Sequence, residues 1–158
     1  MVLQELALHE GFLNSTGDEL WARATTETYA LDSYQNLAFS VCRFREMTGG
    51  YPEKVTAVGY GFKEKRFADV HRRALGLGAE AWSYVGIDPV WGDGEEVAAM
   101  LGEQRVREEW ARCELGVLEE KRRGRNWGAR NWAGYLESCP EMAAVWSGCG
   151  EAEEGPWR

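Results

Sequence analysis

Polar and charged residues that follow apolar, strand-like runs are where this chain could do chemistry. The first such stretch, Glu27 to Asn36, comes after the run Trp21 to Thr26 and opens a helix carrying Leu37, Phe39, Val41 and Phe44. Asp32 suits the N-cap, Ser33 begins the helix, and Gln35 three residues past the cap completes a capping-box pattern. Glu27 and Asn36 are left over by that reading. Glu27 could accept hydrogen bonds from a ribose or an amine, or pair with Lys63 or Arg66 across neighbouring strand ends. Asn36 could meet a ligand or bond the adjoining loop.

A second stretch, Gly59-Tyr60-Gly61-Phe62-Lys63, ends another apolar run. Its two glycines permit backbone to approach a ligand closely, or simply serve the turn. Lys63, Lys65 and Arg66 then crowd the first turn of a helix with only Glu64 in compensation, which opposes the helix dipole by ~0.3–1 kcal/mol per charge. A phosphate or carboxylate at that terminus would reverse the sign of the cost; solvated side chains, or pairing with Glu27 or Asp88, would also relieve it. Asp88 before Pro89 suits a turn as well as a ligand. His71, one turn beyond Phe67, reads as a partly buried histidine or as a general base. The run Lys121 to Asn126 could cap the negative end of the preceding helix or touch phosphate, with Trp127 and Trp132 beside it to pack or to stack on a base. No Ser-His-Asp order, metal-ligand cluster, Walker loop or dinucleotide fingerprint is present, so the sequence alone specifies no catalytic mechanism.

The elements that must position these groups alternate. Residues 2 to 13 have helical spacing, Trp21 to Thr26 reads as a strand, and a helix to about Met47 stops at Gly49-Gly50. Val55 to Tyr60 is a second strand, a helix runs from about Lys63 to Leu75, and Trp82 to Ile87 is a third strand. This order predicts right-handed crossovers and a parallel sheet whose carboxyl ends share one rim. Ligands bind at that rim in open α/β sheets. A long helix over about Glu95 to Lys121 follows, broken near Gly102 or Gly116, with Glu96, Glu103, Glu108, Glu109, Arg105, Arg107 and Arg112 forming a solvated face. A short helix around Glu141 to Trp146 precedes an acidic end.

The pattern Glu27, Ala30, Asp32, Ser33, Gln35, Asn36 resembles the signature of the YdcF-like domain family, and Lys63 and Arg66 stand where bacterial members carry His and Arg. Phe62, Lys63, Arg66, Phe67 and His71, Gly86 to Pro89, Lys121, Arg122, Arg125, Asn126, Ser138 to Glu141, Pro156 and Trp157 resemble its fungal branch more closely. The resemblance implies a three-layer Rossmann-like parallel sheet. About three strands would be retained, in a partial domain over residues 1–90, with a helical C-terminal extension over 91–158. It also implies that the N-terminal strands are missing, because Met1 falls inside what resembles the helix after them. S-adenosylmethionine is the cofactor the resemblance brings into view.

The totals fit one soluble, cytoplasmic domain. There are 158 residues, 44% hydrophobic and 28% charged. A net charge of −8 argues against broad contact with nucleic acid or an anionic membrane surface, and no apolar run approaches the ~18 residues of a membrane helix. Cys42, Cys113, Cys139 and Cys149 lie far apart with no Cys-x-x-Cys pair, which reads as reduced thiols. Two functions of different class follow. One is a site at the strand ends for a small anionic or nucleotide-like molecule, formed by Glu27, Asp32, Ser33, Asn36, Gly59, Lys63, Arg66 and Asp88. The other is a non-catalytic remnant or protein-interaction module. Substrate, reaction and oligomeric state stay open.

Overall fold

A computed structural model of the chain describes residues 23–114, 116–125 and 134–145. The helix at residues 2 to 13, the tryptophans at 127 and 132 and the acidic end fall outside them.

The chain is mixed α/β with helices dominant. Helix α1, Ser33–Thr48, begins where Asp32 accepts a hydrogen bond from the Gln35 amide and ends at Gly49 in the left-handed region. Gln35 returns its side-chain oxygen to the amide of Leu31, so the expected box closes one residue early. Strand β1, Val55–Gly59, pairs in parallel with β2, Trp82–Gly86, in the register Val55 to Trp82 and Ala57 to Tyr84. Between them, residues 61–74 form one helical segment, α2, that changes pitch along its length. A 3-10 turn at Gly61–Lys63 leads into an α turn at Glu64–Arg66, a π turn at Phe67–His71 and a last α turn at Arg72–Ala74. It stops in a Schellman arrangement, with Leu77 N–H bonded to Arg72 and Gly76 N–H to Arg73, and Gly76 takes the φ of +68° that this end requires. Gly86 serves a different purpose: a Cβ there would lie 2.7 Å from the Cα of Gly61, so only glycine lets the end of β2 pass the start of α2.

Helix α3, Glu95–Ala111, ends before helix α4, Gly116–Arg125, begins, and Cys113 between them has a φ of 57°. The break expected near Gly116 therefore occurs. Helix α5, Gly134–Ser138, and a 3-10 turn, Pro140–Val145, complete the described residues.

The core joins these parts. Tyr34, Leu37, Ala38, Phe39 and Cys42 of α1 pack with Ala74, Leu75 and Leu77, with Val106 and Trp110 of α3, and with Tyr135, Cys139, Met142 and Val145. Residues 134–145 are tied to α1 by polar contacts as well: Tyr34 donates to the Val145 carbonyl, Arg45 to Ser138 and Glu141, and Ser138 to Glu46.

Three expectations are corrected. Among the described residues the sheet has two strands, because residues 23–26 form no strand. The chain beyond them is held instead as a turn by the Glu27 carboxylate, which accepts from the amides of Tyr29 and Ala30. The thiols are not all reduced: Cys42 and Cys139 form a disulfide across a separation of 97 residues, brought together by the packing of α1 against residues 134–145. The acidic face of α3 is not wholly solvated either, since Glu103 is buried by the neighbouring α2 and paired there.

Among the described residues, one face of the sheet is uncovered. Thr56 and Ser83 bond to each other on it, and Val58 and Val85, paired across the strands, are 66% and 48% exposed. Among the described residues no helix is long and apolar enough to cross a membrane.

Candidate functional site

The start of α1 is held by groups distant in sequence. Asp32 is buried, and its two carboxylate oxygens are divided between the Gln35 amide and Nε of Arg122 on α4. Arg125, one turn further along α4, donates to the Leu31 carbonyl at 3.2 Å. The basic run after the long helix thus crosses to the first turn of α1.

Helix α2 approaches the same place from the sheet side. Arg66 is only 4% exposed, and its Nη1 lies 3.1 Å from Oε1 of Glu103 on α3. Its Nε, and the second carboxylate oxygen of Glu103, have no hydrogen-bond partner among the described residues. Burial disfavours both charges, lowering Arg66 and raising Glu103 from their ordinary values, and their mutual attraction offsets only part of that. Lys63 sits with Nζ 4.8 Å over the Tyr60 ring and 5.4 Å over the Phe62 ring. Partial burial, the Arg66 charge, and then Lys121 and Arg125, lower its affinity for a proton.

These side chains line a pocket of about 220 Å³: Asp32, Ser33, Asn36, Lys63, Arg66, Phe67, Lys121 and Arg125. Four cations, Lys63, Arg66, Lys121 and Arg125, face one small space beside the positive end of α1. The carboxylate in the lining, Asp32, is already occupied by Arg122. Glu103 behind Arg66 offsets part of this positive charge, and the lining cations outnumber the anions beside them among the described residues, so the arrangement can bind an anion through charge-assisted hydrogen bonds.

At the pocket wall, Ser33 Oγ lies 2.9 Å from Nε2 of His71. The imidazole is fully buried between Tyr34, Phe67 and Trp110, with Trp110 nearest at 4.7 Å between ring centres. Its Nδ1 has no hydrogen-bond partner among the described residues. Burial, and then the Arg66 charge, hold His71 well below the usual imidazole range, so it is neutral near pH 7.

A larger, mostly apolar cleft of about 580 Å³ adjoins the pocket and shares Asn36, Lys63 and Phe67 with it. It runs along β1, with Leu37 and Ser40 of α1 on one side and Tyr84 and Ile87 on the other.

Of the residues singled out from the sequence, Asp32, Ser33, Asn36, Lys63 and Arg66 meet in the polar pocket. The other three do not line it. Gly59 lines the apolar cleft. Asp88 packs its carboxylate against Gly61, where an added Cβ would lie 2.7 Å from Oδ1. Glu27 serves its own turn and is 3.4 Å from the Tyr135 hydroxyl. The polar pocket therefore lies at the start of α1, and of the cations crowding the start of α2, Lys63 and Arg66 line it, whereas Lys65 lines a separate cleft against α3. Sequence reasoning gave Lys121 and Arg125 no place in this site and read Glu103 as solvated. The clustered basic residues were a signal, but the fold supplies their target.

No family model matches the chain, and no solved structure matches it. The chain is similar to a curated protein of Saccharomyces cerevisiae named Uncharacterized protein YOR238W, with 40% identity over 78 residues, which is 48% of this chain and 26% of that protein. The likeness is thus to a fungal protein of which the matched stretch spans about a quarter.

Proposed function

We propose that the chain binds a small phosphorylated molecule, nucleotide-like in shape, with its anionic group in the polar pocket and its less polar body in the adjoining cleft. The convergence of Lys63, Arg66, Lys121 and Arg125 on the first turn of α1 carries this reading. The residues shared by the two spaces, Asn36, Lys63 and Phe67, give one ligand a continuous path between them. S-adenosylmethionine suits the pocket less well, because its sulfonium adds positive charge where four cations already repel one another. The motif resemblance to YdcF-like domains, and with it a Rossmann-like ancestry, supports a ligand at this end of the parallel strands.

Thermal unfolding in inorganic phosphate, against chloride at matched ionic strength, tests the proposal. Ligand at about 100 times its dissociation constant stabilises a fold by roughly 2.7 kcal/mol. Phosphate is expected to raise the melting temperature of the wild type and to leave Lys63→Met with Arg125→Met unmoved. An equal response from both proteins, or none from the wild type, overturns it.

One observation favours a second reading, an interaction module. The cleft is walled by every residue of β1 from Val55 to Gly59, and among the described residues β1 pairs with β2 alone. An extended segment of a partner could add there as a strand. Capture of such a peptide without any response to phosphate would favour this alternative.

A further inference from the structure

The polar pocket contains more than an anion holder needs. Ser33 lines it, and the Ser33 hydroxyl is bonded at 2.9 Å to an imidazole that the pocket does not reach. Resting on the anion-binding reading above, we infer that the pocket is a phosphomonoester hydrolase site in which Ser33 is the nucleophile and His71 its general base.

The geometry supplies each role. The hydroxyl stands at the first position of α1, among Lys63, Arg66, Lys121 and Arg125, so an oxyanion drawn to those cations places its phosphorus beside Ser33 Oγ. His71 lies behind the hydroxyl, gripped by Tyr34, Phe67 and Trp110, which fix the plane of its ring. It comes at the end of the π turn Phe67–His71, an irregularity of a kind common at functional sites. Arg66 lines the pocket and is more than nine-tenths buried, and its Nε has no hydrogen-bond partner among the described residues. His71 is neutral near pH 7 and so holds a free lone pair, and an arriving phosphate dianion offsets the charge it gains on taking a proton.

The reaction closes in two steps. Ser33 Oγ attacks phosphorus as its proton passes to His71 Nε2; the phosphorus bond to the leaving oxygen breaks, and the leaving group departs opposite Ser33 with the electron pair. Water then attacks the phosphoserine from the vacated side and gives a proton to the departed alkoxide. The bond from phosphorus to Oγ breaks, and Oγ recovers its proton from His71. The sum is one phosphomonoester and one water converted to an alcohol and inorganic phosphate. The four cations balance charge on the phosphoryl oxygens throughout.

Wild type and Ser33→Ala should be compared for retention of inorganic phosphate, turnover of 4-nitrophenyl phosphate, and phosphoryl groups left on the Ser33 peptide after acid quench. Ser33→Ala removes one hydroxyl from a half-buried site, and a melting curve confirms that it folds. The expected result is phosphate retention within about threefold of wild type with turnover lost by about a hundredfold or more, and a phosphorylated Ser33 peptide from the wild type alone. Phosphate retention without nitrophenol release by the wild type, or equal turnover by Ser33→Ala, overturns the hydrolase and leaves the anion pocket standing. Failure of the wild type to retain phosphate overturns both.

Discussion

Arg66 and Glu103 form an ion pair between α2 and α3 with both partners buried and 3.1 Å between Nη1 and Oε1. The pair sets the charge of the pocket, because the Glu103 carboxylate, which favours the charged guanidinium, also cancels part of its field on the pocket side. Replacing one member of a buried pair leaves the other uncompensated, at a cost of about 3 kcal/mol or more. Glu103→Gln is therefore expected to lower stability in urea by that order. It should also tighten inorganic phosphate by roughly threefold, as Arg66 loses its competing partner. Opposite movement of the two quantities in one variant is the signature, and a loss of both would remove Glu103 from the electrostatics of the site.

His71 gives the fold an acid sensitivity. Its folded-state affinity for a proton is well below that of the unfolded chain, so the unfolded state binds the extra proton as pH falls. The stability His71 permits is complete above about pH 6.5 and is lost below it by roughly 1.4 kcal/mol per pH unit. Glu103, raised by burial, acts in the opposite direction at lower pH, which makes a difference measurement necessary. Urea midpoints between pH 7 and pH 5 should fall more steeply for the wild type than for His71→Gln. Parallel curves would contradict the burial assigned to this ring.

Asp32 does two jobs that substitutions separate. Asn at this position can still cap α1 but cannot neutralise Arg122, whereas Ala does neither. Asp32→Ala should be less stable than Asp32→Asn by about 1 kcal/mol, the usual worth of a cap. Both should fall below the wild type, because Arg122 loses its buried carboxylate. Denaturant titration of the three proteins gives the two differences directly.

The Cys42–Cys139 disulfide closes a long loop between α1 and the residues after α5. Loop-closure entropy for about 100 residues assigns such a bond up to roughly 4.7 kcal/mol, and removal of native disulfides typically costs about 2–5 kcal/mol. Cys42→Ala combined with Cys139→Ala is expected to lose stability in that range and to make residues 134–145 exchange amide protons faster than β1. Unchanged exchange there would mean that Tyr34, Arg45 and Glu141 hold the segment without the bond.

Local chemistry made part of this molecule readable in one dimension. Asp32 and Gln35 announce a helix start because capping uses residues three apart, and Gly49 and Gly76 announce helix ends because the left-handed region excludes most side chains. The alternating apolar runs gave β1 and β2 and their parallel relation, since a helix between two strands returns the chain in the same direction. A third strand at residues 21–26 looked equally good by composition. Strand formation depends on a neighbour that composition does not supply, and in residues 23–26 no strand forms.

What only the tertiary structure decided are the long-range encounters. Arg122 reaches Asp32, and Lys121 and Arg125 complete a pocket with Lys63 and Arg66, because α4 meets the start of α1. Ser33 and His71 are 38 residues apart, with nothing in their spacing to link them, and they touch because α1 and α2 pack against one core. Spacing encodes what a single turn of backbone needs; charge and thiol partners are chosen by which surfaces the core forces together.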